Sequence, residues 1–378
     1  MIKINLPVAV AVLSIFITLI LTIFLVRVRT EYKVSNRLFA FFLILTAIDI
    51  SINLGYLFKI PLNVRIFVSS IFFLQLPTIY LYVLSVCYYD FKLKTGHLIH
   101  VIPFLIANVI LLPRFYTVDL PSKIRFLENS SRMPEIQVNH IFLHIQIVFY
   151  TIAVFVILRK AKRIYLENYA GASIKSLNWL FEFTLALSVF YFIAILKNVF
   201  KFTDYPNVSE GLKIGLFVFE LLIISWYLFK ALNNPDLFRN IDSKLKLVED
   251  IVSEEKESES RPKNETQFNA ELLRLKTYMI EKKPFLNPSL TIQDVSNDIE
   301  IPTRELSLLI NHKLQQHFFD FINTYRIENA MKILDDATKN KVTILEILYE
   351  VGFNSKSSFN TAFKKHTGVT PTEYRKRL

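Results

Sequence analysis

Before residue 232 the chain is a succession of apolar blocks divided by short polar stretches. Leu6–Val26 carries no charge, and Leu38–Phe58, Ile66–Tyr88, Leu98–Leu112, Ile141–Leu158, Trp179–Leu196 and Ile214–Leu232 follow it. None shows the charged stripe that an amphipathic surface helix needs, which argues against seven buried core helices in a row. At about 1.5 Å per residue, roughly 20 residues cross a ~30 Å hydrocarbon core. The pattern predicts seven membrane-crossing helices. Leu98–Leu112 is short, and reaches the needed length only by taking in Gly96–His97 or by running on towards Tyr116. The first block is longer than the ~7–15 residue apolar run of a signal peptide, and no A-x-A-like site ends it, so it reads as a retained helix.

Past residue 232 the pattern changes. Asn233-Asn234-Pro235 breaks the last apolar helix. Phe238, Ile241, Leu245, Val248 and Val252 then recur at alternating three- and four-residue steps. That spacing fits a short parallel coiled coil between two chains, or equally an amphipathic helix lying on a membrane. Residues 254–265, EEKESESRPKNE, have no apolar period and read as a solvated linker. The expected organisation is all-α: a seven-helix transmembrane domain over 1–235, a linker over 236–267, and a compact soluble helical domain over 268–378.

Within the last domain, residues 291–314 read as helix, tight turn, helix. Thr291 and Asp294 have the spacing of a capping box. Val295 and Ile299 share one face, Ser296 is small enough for a close helix crossing, and Glu300-Ile301-Pro302 makes the turn. Leu306, Leu309 and Ile310 form the apolar face of the second helix and leave Thr303, Arg304, Ser307, Leu308 and Asn311 outward. About fifty residues on, the plan recurs. Thr343 and Glu346 form a second box, and Gly352-Phe353 turns the chain. Asn354 or Ser355 caps a helix with Phe359 and Phe363 inward, leaving Ser355, Lys356, Ser357, Asn360 and Lys364 outward. Phe321–Leu334 is an amphipathic helix long enough to space the two pairs. Two helix-turn-helix units can set two recognition helices into successive major grooves of one DNA face, where small polar and basic side chains suit base edges and phosphates.

Charge adds to this picture. The chain carries 44 Lys+Arg against 33 Asp+Glu, net +11, yet 52% of it is hydrophobic. Lys356, Lys364, Lys365, Arg375, Lys376 and Arg377 against Glu373 leave +5 over residues 354–378, a basic end suited to phosphate. The loops on the C-terminal side of the seven spans hold 11 Lys/Arg and the opposite loops 9. This modest bias favours a cytoplasmic C-terminus and an extracytoplasmic N-terminus. Cys87 is the only cysteine, which excludes an internal disulfide and a cysteine-cluster metal site.

The run Val351-Gly352-Phe353-Asn354-Ser355-Lys356-Ser357-Ser358-Phe359, followed by Phe363-Lys364-Lys365, Gly368, Thr370-Pro371 and Tyr374-Arg375, resembles the C-terminal signature of AraC/XylS-type bacterial transcription regulators. Arg326 with Ala330 and Leu334 resembles that family's linker helix, and Leu306-Ser307 its first recognition helix. The resemblance covers residues 270–378. It implies a seven-helix domain with two helix-turn-helix units that binds promoter DNA, often as a dimer. The candidate DNA-binding set is Thr303, Arg304, Ser307, Asn311, Arg326, Ser355, Lys356, Ser357, Asn360, Lys364, Lys365 and Arg375. Leu308 stands where the family commonly has Arg, and Leu348 where it commonly has a small Ala.

The acids Asp49, Glu182 and Glu220 fall inside the second, sixth and seventh apolar blocks. Intramembrane acids mark a ligand pocket or relay, or equally an interhelical hydrogen bond. The 28-residue stretch 113–140 is the candidate outer sensing loop. No H-E-x-x-H, nucleophile elbow or phosphate loop occurs, so no catalytic residues, metal or cofactor are expected. The reading is a one-component membrane regulator whose partners are double-stranded promoter DNA, membrane lipid, a second copy of the chain, an unidentified signal ligand and RNA polymerase. The alternative is a transporter or membrane enzyme with a DNA-binding regulatory tail.

Overall fold

The computed structural model describes residues 6–28, 33–52, 60–88, 91–170, 174–203, 206–233 and 265–377. The heptad-like stretch from Phe238 to Val252 and nearly all of the 236–267 linker lie outside the described residues. Among the described residues no strand forms; an isolated antiparallel bridge joins Tyr169 to Thr291. The chain falls into two compact units, Met1–Arg159 with Ser176–Asn240, and Lys160–Lys175 with Ile241–Leu378.

The first unit comprises α1 (Leu6–Arg27), α2 (Lys33–Ile52), α3 (Leu62–Ser69), α4 (Phe72–Cys87), α5 (Ile102–Leu111), α6 (Leu120–Glu128), most of α7 (Pro134–Asn168), most of α8 (Ile174–Lys201) and α9 (Pro206–Asn233). Seven helical stretches here are long and apolar enough to cross a membrane, one for each apolar block. The third joins α3 and α4 across a break at Ser70. The fourth is Thr95–Tyr116, 22 residues long. It gains its length at both ends, from a tight turn over Thr95–Val101 and wide π-type turns over Leu112–Tyr116. The expected outer loop is ordered: α6 lays Phe126 against Leu111 and Phe115, and Arg114 pairs with Glu135 at 3.2 Å.

Polarity on α1 is inverted. Ser14, Thr18 and Thr22 are buried, and the two threonine hydroxyls need no outside partner because Thr18 donates to Ser14 O and Thr22 to Thr18 O. Phe16, Ile20 and Ile23 are exposed instead. The outer faces of α7 and α8 are likewise apolar, with Ile145, Phe149, Ile152 and Phe192 exposed. Inside, Phe39 of α2 stacks on Tyr227 of α9 at 4.0 Å and meets Tyr82 of α4 and Phe183 of α8.

The second unit holds α10 (Glu265–Lys282), α11 (Ile292–Ile299), α12 (Thr303–Ser307), α13 (Phe318–Asp335), α14 (Ile344–Glu350), α15 (Lys356–Thr367) and α16 (Pro371–Arg375). Helix α12 continues through wide π-type turns to Lys313. Two cores form, and α13 belongs to both. Its Phe318, Phe321 and Ile322 pack with Leu275, Val295, Leu306 and Ile310. Its Ile327, Ala330 and Leu334 pack with Ile347, Leu348, Phe359 and Phe363. Leu348 is fully buried. The last turns of α7 also fall in this unit: Ala170 N–H donates to Leu290 O at 3.0 Å, and the Ala170 side chain joins the first core. By sequence, residues 159–178 are only the polar stretch between two apolar blocks.

Candidate nucleic-acid interface

Each helix pair is held by local chemistry the sequence announces. Thr291 and Asp294 close a reciprocal capping box on α11, and Thr343 and Glu346 do so on α14. After α11 the chain reverses at Glu300, which takes the left-handed conformation at φ 52°. Ser296 ties this turn by donating to Ile301 O at 2.7 Å, and Thr303 donates to the Ser296 hydroxyl at 2.9 Å. After α14 the reversal falls on Gly352, at φ 91°. A Cβ there would lie 2.5 Å from Phe285 O, so this turn needs glycine both for its backbone angle and for its close approach. Ser355 then caps α15, accepting from Ser358 N–H.

The outward set divides on inspection. Arg304, Lys356, Ser357, Lys364 and Lys365 are exposed, and Asn360 is half-exposed on α15. Lys365 pairs with Asp320 of α13 at 2.6 Å. Ser355 is engaged as the cap, and Thr303 in the turn. Asn311 is occupied as well: its amide donates to Ser307 Oγ and to Glu167 O, and its carbonyl accepts from Phe318 N–H. Ser307 is buried, because the helix turns it onto Asn311 rather than outward. Arg375 is half-buried, with Nε and Nη2 enclosed and without a hydrogen-bond partner among the described residues. His312 and Lys313, at the far end of the first exposed helix, face solvent and did not feature in the sequence reading. A third capping box, Thr370 with Glu373 on α16, also went unread although it has the same T-x-x-E spacing.

Arg326 is a correction. Placed among the DNA-contacting residues by sequence, it is 1% exposed, in the middle of α13 between the two cores. Its Nε donates to Phe285 O, Nη2 to Asn287 O, and Nη1 to Ala170 O and Asn323 Oδ1, at 2.7–3.2 Å. The guanidinium also lies over the Phe353 ring, 5.4 Å from its centroid. A buried cation persists only with its donors matched, and here carbonyls from four backbone and side-chain sites match them. Burial pulls its pKa down to about 10, opposed by Tyr165, and the group stays charged at neutral pH. Arg326 thus joins the loop before α11, the linker helix and the turn after α14.

The three acids also separate. Asp49 and Glu220 lie within electrostatic reach of each other, whereas Glu182 is exposed on α8, although its chain neighbour Phe183 is buried.

A compact helical domain of capped helix pairs with a cationic outer helix is of the helix-turn-helix DNA-binding class. The family described as "Helix-turn-helix domain" matches residues 295–377. The chain is similar to the uncharacterized transcriptional regulatory protein YesN of Bacillus subtilis (strain 168), 30% identical over 93 residues, 24% of this chain and 25% of that one. It is similar to the melibiose operon regulatory protein of Escherichia coli (strain K12), 31% identical over 88 residues, 23% of this chain and 28% of that one. An uncharacterized HTH-type transcriptional regulator in the cgkA 5' region of Pseudoalteromonas carrageenovora is 30% identical over 146 residues, 36% of this chain and 76% of that one. The chain spans about a quarter of the length of the first two relatives. No solved structure matches it significantly. The chain belongs to the AraC-type family of helix-turn-helix transcription regulators.

Proposed function

We propose that this protein is a membrane-embedded one-component transcription regulator that binds promoter DNA through two helix-turn-helix units and responds to a signal at or outside the membrane. The observation that carries the reading is the joining, in one chain, of two capped helix pairs around α13 with seven helices long enough and apolar enough to cross a membrane. The inverted polarity of α1 supports the membrane setting, since exposed Phe16, Ile20 and Ile23 are stable against lipid and costly in water. In this reading the seven helices cross the inner membrane, the C-terminal domain meets DNA in the cytoplasm and the N-terminus lies outside, in keeping with the modest Lys/Arg bias of the loops. Arg304, Lys356, Ser357, Asn360, Lys364 and Lys365 form the DNA-facing set, with Lys365 exchanging Asp320 for phosphate. The chain works as a homodimer in contact with lipid and RNA polymerase, and performs no catalysis.

The test is genome-wide mapping of DNA crosslinked to the full-length chain in its host, paired with a C-terminal reporter fusion. The expected result is a small set of promoter sites sharing a two-part motif and a cytoplasmic reporter. An extracytoplasmic reporter, or crosslinking no richer at promoters than elsewhere, overturns the reading.

A further inference from the structure

Between α2, α4, α8 and α9 of the first unit lies a partly open cleft, with about 440 Å³ of atom-free space counted out into its mouth. Its walls are aromatic and aliphatic, with Phe39, Phe183, Tyr191 and Tyr227 among them. Besides the two tyrosines, three polar side chains break these walls: Thr46, Gln75 and Glu220. Thr46 and Gln75 are each 4% exposed, and neither Thr46 Oγ1 nor Gln75 Nε2 has a hydrogen-bond partner among the described residues. Asp49 lies beside Gln75 without completing that bond in good geometry. Buried polar atoms are normally paired, so two orphans facing one cleft are a sign of a missing partner.

The charges point the same way. Asp49 has Lys197 within electrostatic reach, an opposite charge that balances it. Among the described residues Glu220 has no such partner; the charged group acting on it is Asp49, of its own sign. A carboxyl held away from water without an opposite charge keeps its proton until a cation comes beside it, and a cationic guest is the partner that ionises it. Aromatic faces favour the same guest, because the ring quadrupole presents negative charge to it. Gln75 and Thr46 add donors suited to a ligand oxygen. An anion is repelled by both acids, and a purely apolar guest leaves Glu220, Gln75 and Thr46 all unmatched.

We propose that this cleft binds a small amphipathic organic amine, its protonated nitrogen held by Glu220 and the surrounding ring faces, its apolar body against Phe39 and Phe183, and an oxygen acceptor towards Gln75 and Thr46. The site is the signal pocket of the regulator read above, and rests on that reading only for the membrane setting of these helices. Of the three acids singled out by sequence, Glu220 holds the ligand, Asp49 stands behind it, and Glu182 takes no part.

The chain carries its own reporter. It has two tryptophans, and Trp179 lies 5.2 Å from Tyr227 and 5.8 Å from Phe183, centroid to centroid, both cleft residues, with Trp226 beside it at 6.5 Å. The full-length protein in lipid nanodiscs is titrated with 2-amino-1-phenylethanol, phenethylamine, 1-phenyl-1,2-ethanediol and mandelate while tryptophan emission is followed. The expected result is a saturable change with the amines. 2-Amino-1-phenylethanol binds at least tenfold more tightly than the diol, which differs from it only in the cationic nitrogen, and mandelate does not bind. Glu220→Gln removes the preference for amine over diol. Gln75→Leu removes the smaller advantage of the hydroxylated amine over phenethylamine and leaves the charge preference intact. Equal affinity for amine and diol, tighter binding of mandelate, or no saturable response to either amine overturns the proposal. The ligand series on the unaltered chain decides the matter even if Glu220→Gln does not fold. Promoter binding is measured on the same preparation: a chain that binds DNA but not the amines refutes the pocket alone, and one that binds amines but no DNA refutes the regulator reading alone.

Discussion

Replacing Arg326 with alanine distinguishes a residue that shapes the DNA-binding unit from one that touches DNA. The side chain makes four hydrogen bonds, three to the backbone carbonyls of Phe285, Asn287 and Ala170 and one to Asn323. A charge-assisted bond contributes about 1.5–3 kcal/mol, and an orphaned buried carbonyl costs about 1–3 kcal/mol. Water entering the vacated space satisfies part of the deficit. With four such bonds lost and water making up part of them, the net loss comes to about 3–5 kcal/mol. That is a large share of the ~5–15 kcal/mol available to a whole domain. In hydrogen exchange on the full-length chain, amides of Phe285–Ile292 and Val351–Phe353 should lose roughly 10²–10³-fold in protection. DNA affinity should fall as well, because fewer molecules are competent. The dependence of affinity on salt should nevertheless keep its slope, since no phosphate contact has been lost. Lys364→Ala is the control, with its slope shallower by about 0.9 and its exchange pattern unchanged. If Arg326→Ala lowers the slope by about one and leaves protection intact, Arg326 is a phosphate contact and the structural assignment is wrong.

Four further outcomes follow from the same geometry. Gly352→Ala combines a φ of 91° with a Cβ 2.5 Å from Phe285 O, and should destabilise the second unit by at least about 2 kcal/mol in urea unfolding followed by tyrosine circular dichroism. Asn360→Ala should leave total affinity for non-specific DNA unchanged while relaxing preference at one base position by about 1–3 kcal/mol, read by competition against single-base variants of the mapped site. Asn311→Ala, by contrast, should destabilise the first helix pair by about 1–2 kcal/mol, because its amide ties Ser307 and the start of α13 together; a change in base preference without loss of stability would contradict this. The carboxyls of Glu346 and Glu373 are held below their ordinary pKa by hydrogen bonds from Thr343 and Thr370. A depressed folded pKa means stability fully present above the unfolded value near 4.5 and lost as pH falls through the lower folded values. Unfolding of the second unit below pH 4.5 should thus be less steep in Glu346→Gln, which has already forfeited its share at neutral pH.

Local signals were readable in proportion to how local their physics is. The capping boxes at Thr291 and Thr343, the turn at Gly352 and the inward Phe359–Phe363 pair are each set by residues three or four apart, and the structure has them where the spacing put them. Seven apolar blocks became seven long helices for the same reason, and even the short fourth one lengthened through the flanking residues the sequence offered. Side-chain direction within the second helix of a pair was less legible. Ser307 and Asn311, four apart, share one face of that helix, and the face is covered rather than open: Asn311 also donates to Glu167 O and accepts from Phe318 N–H.

The sequence by itself determined that this is an all-helical chain, apolar for its first 232 residues and basic at its end, with a helix-turn-helix signature near its C-terminus. Periodicity, capping and composition suffice for that, because each acts over a few neighbouring residues. Only the tertiary structure decided which charged groups are surface and which are interior. Arg326 reads as one more cation in a basic domain until carbonyls 39, 41 and 156 residues away are seen to converge on it. Glu220 and Glu182 look alike along the chain, and what separates them is which face of a helix meets its neighbours. A charge is assigned its role by the partners packing brings to it, and those partners come from segments that no local pattern connects.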